Sequence, residues 1–281
     1  MRAVPIVWAV QDTTFFNGDH PPETQGLGPI AEKGRGLLSH GTLAVTPEHW
    51  PLGLLAQHNW VREDKGLSPH KKRAIADKES CKWLKSIEAL AAAREAAPET
   101  TWVSVGDREA DGFEWFAMAR PVGVEWLVRA SWNRVVESEH RHWWETLQAS
   151  REAGTVELKG PRRPGKPPRT CPLSVRHQRL TIPAPRTRKP LGEVHLWGIL
   201  ATEISPPDGE TPIEGLLLTS VPTSCLDEAI ERLHGYSCRW RIEVWHRVLK
   251  TGGRIESRPL ETIERLSGAL TLYSIVAWRI L

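Results

Sequence analysis

The chain contains few cysteines, no recognisable signal peptide and no apolar run long enough to span a membrane. Its four cysteines, none in a CxxC pair, are too few and too scattered for a disulfide scaffold or a zinc ribbon, and they indicate free thiols in a reducing compartment. The N-terminal apolar run has no small-residue cleavage site, and the C-terminal run is short and contains Arg279. We therefore expect neither a secreted disulfide-rich protein nor a membrane protein.

Positive charge is concentrated in one segment. The net charge is only +3, yet residues 159–189 contain ten lysines or arginines and no acid, so the rest of the chain is net acidic. A local basic segment indicates a polyanionic partner, although a solvated loop is the alternative. Interleaved prolines favour an extended, exposed conformation. The basic residues are Lys159, Arg162, Arg163, Lys166, Arg169, Arg176, Arg179, Arg186, Arg188 and Lys189.

The first half of the chain alternates between strand and helix patterns. A β-type run over residues 4–12 ends at Asp12, and a Gly-rich stretch over 17–36 predicts a loop. Further patterns predict paired strands, a long helix, a strand that ends at Asp107, a helix with Asp111 as its N-cap, and another strand. Their ranges are 41–46, 51–60, 77–97, 101–107, 112–119 and 124–130.

The second half divides into a β-rich part and a helical part. Residues 131–222 contain short strand-like runs broken by proline and glycine, which predicts an antiparallel insertion. Helical patterns follow over 226–234, in the segment around Glu243, and over 260–281. We therefore predict an α/β fold with three parts: a core over 1–130, a β-rich insertion over 131–222, and a helical completion over 223–281.

Four polar residues in the segment GYSCRWRIEVWHRVLKTGG have helical spacing. On one continuous helix, Tyr236, Arg239, Glu243 and Lys250 would share a narrow arc, and apolar residues would occupy the opposite face. One carboxylate among donors that suit phosphate groups fits a site that cuts or joins nucleic acid with metal ions. The alternative is a solvated face with i, i+4 ion pairs.

Three acids are candidates for a metal site. Phosphodiester cleavage needs charge stabilisation at the attacking and leaving oxygens, and two divalent ions supply it in many nucleases and polymerases. The candidates are Asp12, Asp107 and Glu243, which only tertiary folding could bring together. Either aspartate could instead be an ordinary turn or cap residue.

Three motifs together resemble a known family. QDTTFF around Asp12, VGDREADGF around Asp107 and YSCRWRIEVWHRVLKTGG around Glu243 resemble the cut-and-paste bacterial transposases with an acidic DDE triad. The chain looks most like the insertion-sequence-four group, which carries a Tyr-Arg-Glu-Lys signature at this spacing. The resemblance extends from about residue 5 to residue 281.

The resemblance implies a ribonuclease-H-like core, a mixed β-sheet flanked by helices, with a β-rich insertion between the second Asp and the Glu. It implies that Asp12, Asp107 and Glu243 are catalytic and bind two Mg²⁺ or Mn²⁺ ions. The implied reactions are nicking of a transposon end, hairpin formation and strand transfer into target DNA. The implied location is the bacterial cytoplasm, at the nucleoid.

Four further residues match family positions that contact DNA. Tyr236, Arg239 and Lys250 match residues that hold the phosphates of the DNA end near the cut. Trp240 matches a tryptophan that probes the duplex near the hairpin, where an indole could enter the base stack. Core packing is the alternative for Trp240.

The chain departs from the family pattern in two ways. Gly215 matches the position of an aromatic residue that stacks the flipped base, and such stacking is worth about 1–3 kcal/mol. Either Trp197 takes over this role or hairpin formation is weaker. The family's N-terminal end-binding domain and C-terminal dimerisation region are also not recognisable, so we expect a catalytic core or a fragment of a protein whose relatives act as dimers.

Three functions therefore stay open at this level. The first is a transposase catalytic core that acts on transposon ends and target DNA. The second is a truncated, catalytically inactive DNA-binding or regulatory fragment. The third is a nuclease with no joining step. Intact acids favour the first, whereas Gly215 and the missing termini favour the second.

Overall fold

The computed structural model describes residues 4–18, 24–30, 34–63, 81–159, 170–258 and 260–281. These residues form a mixed α/β structure, as the sequence predicted, and they fall into two compact units. The first unit comprises Met1–Val105 and Ser237–Leu281, and the second comprises Gly106–Tyr236.

The structure contains ten strands and six α-helices in its described part. The strands are β1 (Ile6–Asn17), β2 (Gly28–Pro29), β3 (Arg35–Val45), β4 (Pro51–Trp60), β5 (Thr101–Gly106), β6 (Glu125–Arg129), β7 (Glu152–Lys159), β8 (Thr170–Ile182), β9 (Val194–Glu203) and β10 (Glu214–Thr219). The α-helices are α1 (Cys81–Ala96), α2 (Phe113–Ala119), α3 (Trp143–Ala149), α4 (Leu226–Ser237), α5 (Trp240–Arg247) and α6 (Ile263–Ile280).

The first unit is built on a mixed sheet. Strand β3 pairs antiparallel with β1 on one side and with β2 and β4 on the other, while β1 pairs in parallel with β5. Helices α1 and α6 contact β4, whereas α5 contacts β1 and β3. Strand β3 is buried along nearly its whole length, because neighbouring strands cover both edges and helices cover the faces.

Alternation along β3 determines which residues face which helix. His40 contacts the indole of Trp83 on α1 edge to face, at 4.7 Å between ring centroids, and the Thr42 hydroxyl bonds to Ser86 of the same helix. Gly41 lies between them and faces the buried ring of Trp245 on α5. Successive residues of a strand point to opposite faces, so α1 and α5 pack on opposite sides of this sheet.

The second unit contains an antiparallel sheet in the order β6-β10-β9-β8-β7. Four strand-like runs in the predicted insertion correspond to β7, β8, β9 and β10, which confirms the antiparallel prediction. Helix α3 also lies in this part of the chain, where only strands were predicted. Its apolar Trp143 and Leu147 are fully buried, and α3 contacts β8 and β9.

Several predicted boundaries were wrong. Strand β1 continues to Asn17, so Asp12 lies inside the strand and not at its end. The stretch 17–36, predicted as a loop, contains β2 and the first residues of β3, and parts of it (19–23 and 31–33) are outside the described residues. The helix predicted over 77–97 is described as Cys81–Ala96, since 77–80 are also outside that set.

Asp111 is not the N-cap of α2. Gly112 occupies the N-cap position and makes no side-chain cap hydrogen bond. The buried Asp111 carboxylate instead accepts hydrogen bonds from the backbone N–H groups of Ser131 and Trp132 and from the guanidinium of Arg134. A buried carboxylate is costly unless it is paired and hydrogen-bonded, and these partners satisfy that requirement.

The single helix predicted through Tyr236, Glu243 and Lys250 was also wrong. Helix α4 ends at Ser237, α5 begins at Trp240, and residues Val248–Gly252 form a π-helical turn. The N–H groups of Arg241 and Ile242 donate to carbonyls three residues back, which tightens the junction. Buried Cys238 lies within this junction.

Candidate active site on strand β1 and helix α5

The candidate site lies in the first unit, where β1 faces α5. Asp12 pairs in register with Gly41, so both lie on the face of the sheet that α5 covers. A Cβ atom at position 41 would lie 2.7 Å from the Trp245 ring. The missing side chain at Gly41 therefore allows α5 to approach the strand closely enough for its polar residues to reach Asp12.

Arg239 contacts both carboxylates of this site. Its Nη2 donates to Glu243 Oε1 at 2.5 Å, and its Nη1 lies 3.7 Å from Asp12 Oδ2. The guanidinium side chain is 16% exposed, which limits its screening by solvent. The fold thus brings Asp12 and Glu243, which are 231 positions apart in sequence, to one guanidinium.

Asp12 has two further polar neighbours. Its Oδ1 accepts a hydrogen bond from the N–H of Thr13 at 2.8 Å. The Nδ1 atom of His246, three residues after Glu243, lies 3.9 Å from Asp12 Oδ2. Burial, together with the charges of Lys250 and Arg239, lowers the pKa of His246 to about 3, so the imidazole is neutral at pH 7.

Lys250 lies beside the aromatic residues of β1. Its ammonium is 4.7 Å from the ring centroid of Phe15 and 5.5 Å from that of Phe16, which is cation–π geometry. Burial lowers the pKa of Lys250, while the carboxylate of Glu256 opposes this shift. Glu256 also accepts a hydrogen bond from the N–H of Asn17 at the end of β1.

Two other residues were predicted to contact DNA. The indole of Trp240, at the start of α5, is 56% exposed, which rules out the alternative that it packs in the core. Tyr236 lies in the last turn of α4 and belongs to the second unit.

Asp107 also belongs to the second unit. It caps a short 3₁₀ turn at Arg108–Ala110, and its Oδ1 accepts a hydrogen bond from the N–H of Glu109 at 2.9 Å. This is the ordinary cap geometry that the sequence offered as an alternative. Within the described part of the chain, no group of three or more His, Cys, Asp or Glu side chains is arranged to hold a metal ion.

Gly215 and Trp197 are on neighbouring strands of the second unit but not side by side. Gly215 pairs with Ala201, whereas Trp197 pairs with Thr219. Ala201 and Trp197 are four residues apart on β9, or about 13 Å along the strand. A Cβ atom at Gly215 would meet no atom within 4 Å, so the position has room for a side chain.

The basic segment is only partly described. Residues 160–169, with four of its ten basic side chains, are outside the described residues, and residues 170–182 form β8. Two described members have partners within the second unit: Arg176 lies 4.0 Å from Glu152, and Arg188 pairs with Glu114 at 3.0 Å. Arg179, Arg186 and Lys189 are exposed.

Sequence reasoning missed His40 and His246. Both are buried, with relative exposures of 1% and 7%, and both lie near Asp12 in the fold. Their sequence signals are weak: a polar Ser-His pair inside the apolar run of β3, and a histidine one helical turn after Glu243.

A scan of the sequence against protein-family models finds no match. None of the helices in the described ranges is long and apolar enough to cross a membrane.

Proposed function

We propose that this chain is the catalytic core of a cut-and-paste DNA transposase of the insertion-sequence-four group. Its substrates would be transposon ends and target DNA, and its fold would be ribonuclease-H-like with a β-rich insertion. The observation that carries the proposal is the convergence of Asp12 and Glu243 on Arg239. The sequence motifs led us to expect an acid on the first strand and an acid on a late helix at one site, with Arg239 beside the second acid.

The donor set suits a hard divalent cation. Asp12 and Glu243 offer carboxylate oxygens, which Mg²⁺ and Mn²⁺ prefer, and their side chains are 23% and 28% exposed, so solvent and DNA can reach them. In this structure the guanidinium of Arg239 compensates the charge of both carboxylates. Two bound ions would supply charge stabilisation at the attacking and leaving oxygens.

The sequence motif VGDREADGF supports Asp107 as the third acid. We propose that Asp107 is a metal ligand together with Asp12 and Glu243 when metal and DNA are bound.

The cationic and aromatic residues would bind the DNA end. Arg239 offers a bidentate fork for phosphate, and Lys250 offers a point charge beside it. When a phosphate approaches, Arg239 would exchange its carboxylate contacts for phosphate contacts, which would leave Asp12 and Glu243 to the metal ions. Exposed Trp240 would contact the duplex.

The test uses supercoiled plasmid, a hairpin oligonucleotide and a nicked oligonucleotide, each with Mg²⁺ or Mn²⁺. We expect metal-dependent nicking and joined products from the wild-type chain, and neither from Asp12→Asn, Asp107→Asn or Glu243→Gln. Glu261→Gln is the matched control, because Glu261 also forms an i, i+4 pair with an arginine, Arg265, but at an exposed position. Equal cleavage by the triad variants and the control would refute the assignment.

One observation favours a second function, that of a DNA-binding or regulatory fragment that does not cut. Arg239 pairs with both acids of the site, so a cation of the protein itself compensates their charge. This function predicts DNA binding with no metal-dependent product in the same assay. Cleavage without joined product would indicate a nuclease instead.

A further inference from the structure

A chain of buried hydrogen bonds runs from Ser104 on β5 through Gln11 on β1 and His40 on β3 to Thr13 on β1. Gln11 Nε2 donates to Ser104 Oγ on β5, and Gln11 Oε1 lies 3.2 Å from His40 Nε2 on β3. His40 Nδ1 lies 3.0 Å from the Thr13 hydroxyl. Gln11, His40 and Ser104 are at most 1% exposed, so water does not compete for these bonds.

The directions of these three hydrogen bonds are consistent with one another. Gln11 uses its amide N–H on Ser104, so its oxygen must accept from His40 Nε2–H. A neutral His40 then has an unprotonated Nδ1, which accepts from the Thr13 hydroxyl. Burial, helped by the charge of Lys82, lowers the pKa of His40 well below its ordinary value, and this keeps the imidazole neutral.

Thr13 connects this buried chain to Asp12. Successive residues of β1 point to opposite faces of the sheet, so Asp12 faces α5 while Gln11 and Thr13 face the side of α1. Thr13 is held from both sides: its hydroxyl bonds to His40, and its backbone N–H donates to Asp12 Oδ1 at 2.8 Å. A shift of Thr13 would therefore shift the N–H that orients the Asp12 carboxylate.

We propose that His40 is a positioning residue for Asp12, acting through Thr13. The inference rests on the proposed function, because it concerns the orientation of a metal-binding carboxylate. Groups that orient a ligand from behind typically change metal affinity about 10–100-fold when they are removed.

The experiment measures Mn²⁺ binding to the full chain by electron paramagnetic resonance, without DNA and with a DNA duplex that gives Arg239 a phosphate partner, and Asp12→Asn supplies the background. Thr13→Val and His40→Leu should each weaken Mn²⁺ affinity about 10-fold. The double variant should be no weaker than the worse single variant, because both changes break the same link. His40→Asn should recover part of the loss, since an amide oxygen can replace Nδ1 as the acceptor for Thr13.

Thr42→Val is the matched control. It removes a buried hydroxyl from β3, where Thr42 bonds to Ser86 of α1 at 2.7 Å, so the bond that is lost is not one of those that lead to Thr13. We expect a loss of thermal stability comparable to that of Thr13→Val, with unchanged Mn²⁺ affinity. A purely structural role for His40 and Thr13 predicts that all these variants lose stability alike and keep the same Mn²⁺ affinity, which would overturn the inference.

The two proposals fail in different ways. If the wild-type chain binds Mn²⁺, Asp12→Asn abolishes binding, and Thr13→Val and His40→Leu bind as tightly as the wild type, only the positioning role is refuted. If the wild-type chain binds Mn²⁺ no more tightly than Asp12→Asn, both without DNA and with it, the proposed function and the positioning role are refuted together.

Discussion

Gly41→Ala tests whether a missing side chain sets the distance between β1 and α5. The added Cβ would lie 2.7 Å from Cζ3 and 3.1 Å from Cη2 of Trp245, whereas carbon atoms in contact are about 3.5–4.0 Å apart. Neither side can yield easily. Trp245 is fully buried and donates from Nε1 to the carbonyl of Ser274, and β3 has paired strands on both edges.

Overpacking of this kind typically costs about 1–3 kcal/mol. We expect Gly41→Ala to unfold about 2–10 °C below the wild type, as measured by tryptophan fluorescence and circular dichroism. We also expect metal-dependent cleavage to fall more steeply than stability, because α5 would move Arg239 and Glu243 away from Asp12.

The control is Gly268→Ala on α6, where a Cβ atom would meet no atom within 4 Å. Alanine in a helix is favoured over glycine by about 0.5–1 kcal/mol, so this variant should unfold at or above the wild-type temperature. Identical unfolding of Gly41→Ala and the wild type would refute the close packing of Trp245 on Gly41.

Three more predictions test the site, the basic segment and the thiols. Glu243→Gln should abolish cleavage but change DNA affinity little in fluorescence anisotropy, since it removes a carboxylate and no phosphate contact; a large loss of binding would contradict this. Burial raises the pKa of the Cys238 thiol to about 12, so a thiol reagent at pH 8 should modify exposed Cys225 quickly and Cys238 only on unfolding. Rapid labelling of Cys238 in the folded Cys225→Ser variant would contradict this. The basic segment is tested by replacing four of its residues with glutamine: Arg162, Arg163, Lys166 and Arg169. The slope of log affinity for DNA against log salt concentration should fall in magnitude by up to about 3.6. An unchanged slope would show that these four residues do not contact DNA phosphates.

Only four residues of the basic segment are replaced because part of the segment is a strand of the sheet. Removing all of residues 159–189 would delete β8, which pairs with both β7 and β9. The resulting loss of the sheet would obscure any effect on DNA binding. Glutamine substitutions change charge and keep the length of the chain.

The sequence was sufficient for most elements of secondary structure. Short strand-like runs between proline and glycine located β4, the second half of β3 and the strands β7 to β10, and the helical pattern of the C-terminal segment located α6. It was not sufficient for the ends of elements. Strand β1 continues past Asp12 because β3 supplies paired backbone as far as Gly36, and this pairing is not visible in local sequence.

The segment from Tyr236 to Lys250 shows why helical spacing alone led to a wrong prediction of one continuous helix. Its polar residues have the right period for one face, but the backbone breaks at Cys238, which is buried in the first unit with its Sγ 3.9 Å from the carbonyl of Thr46. Helix propensity is a weak preference, and tertiary packing overrides it. Arg239 and Glu243 still share a face, since both lie beyond the break.

The amino-acid sequence by itself determined the α/β class, the strand-rich character of residues 152–219, and which acids and cations were worth considering. Only the tertiary structure decided that Asp12 and Glu243 share one guanidinium, that Gly41 makes room for Trp245, and that His40 lies behind Asp12. The physical reason is that local periodicity records which side of an element is apolar. The approach of side chains hundreds of residues apart depends on strand register and helix packing, which no local pattern encodes.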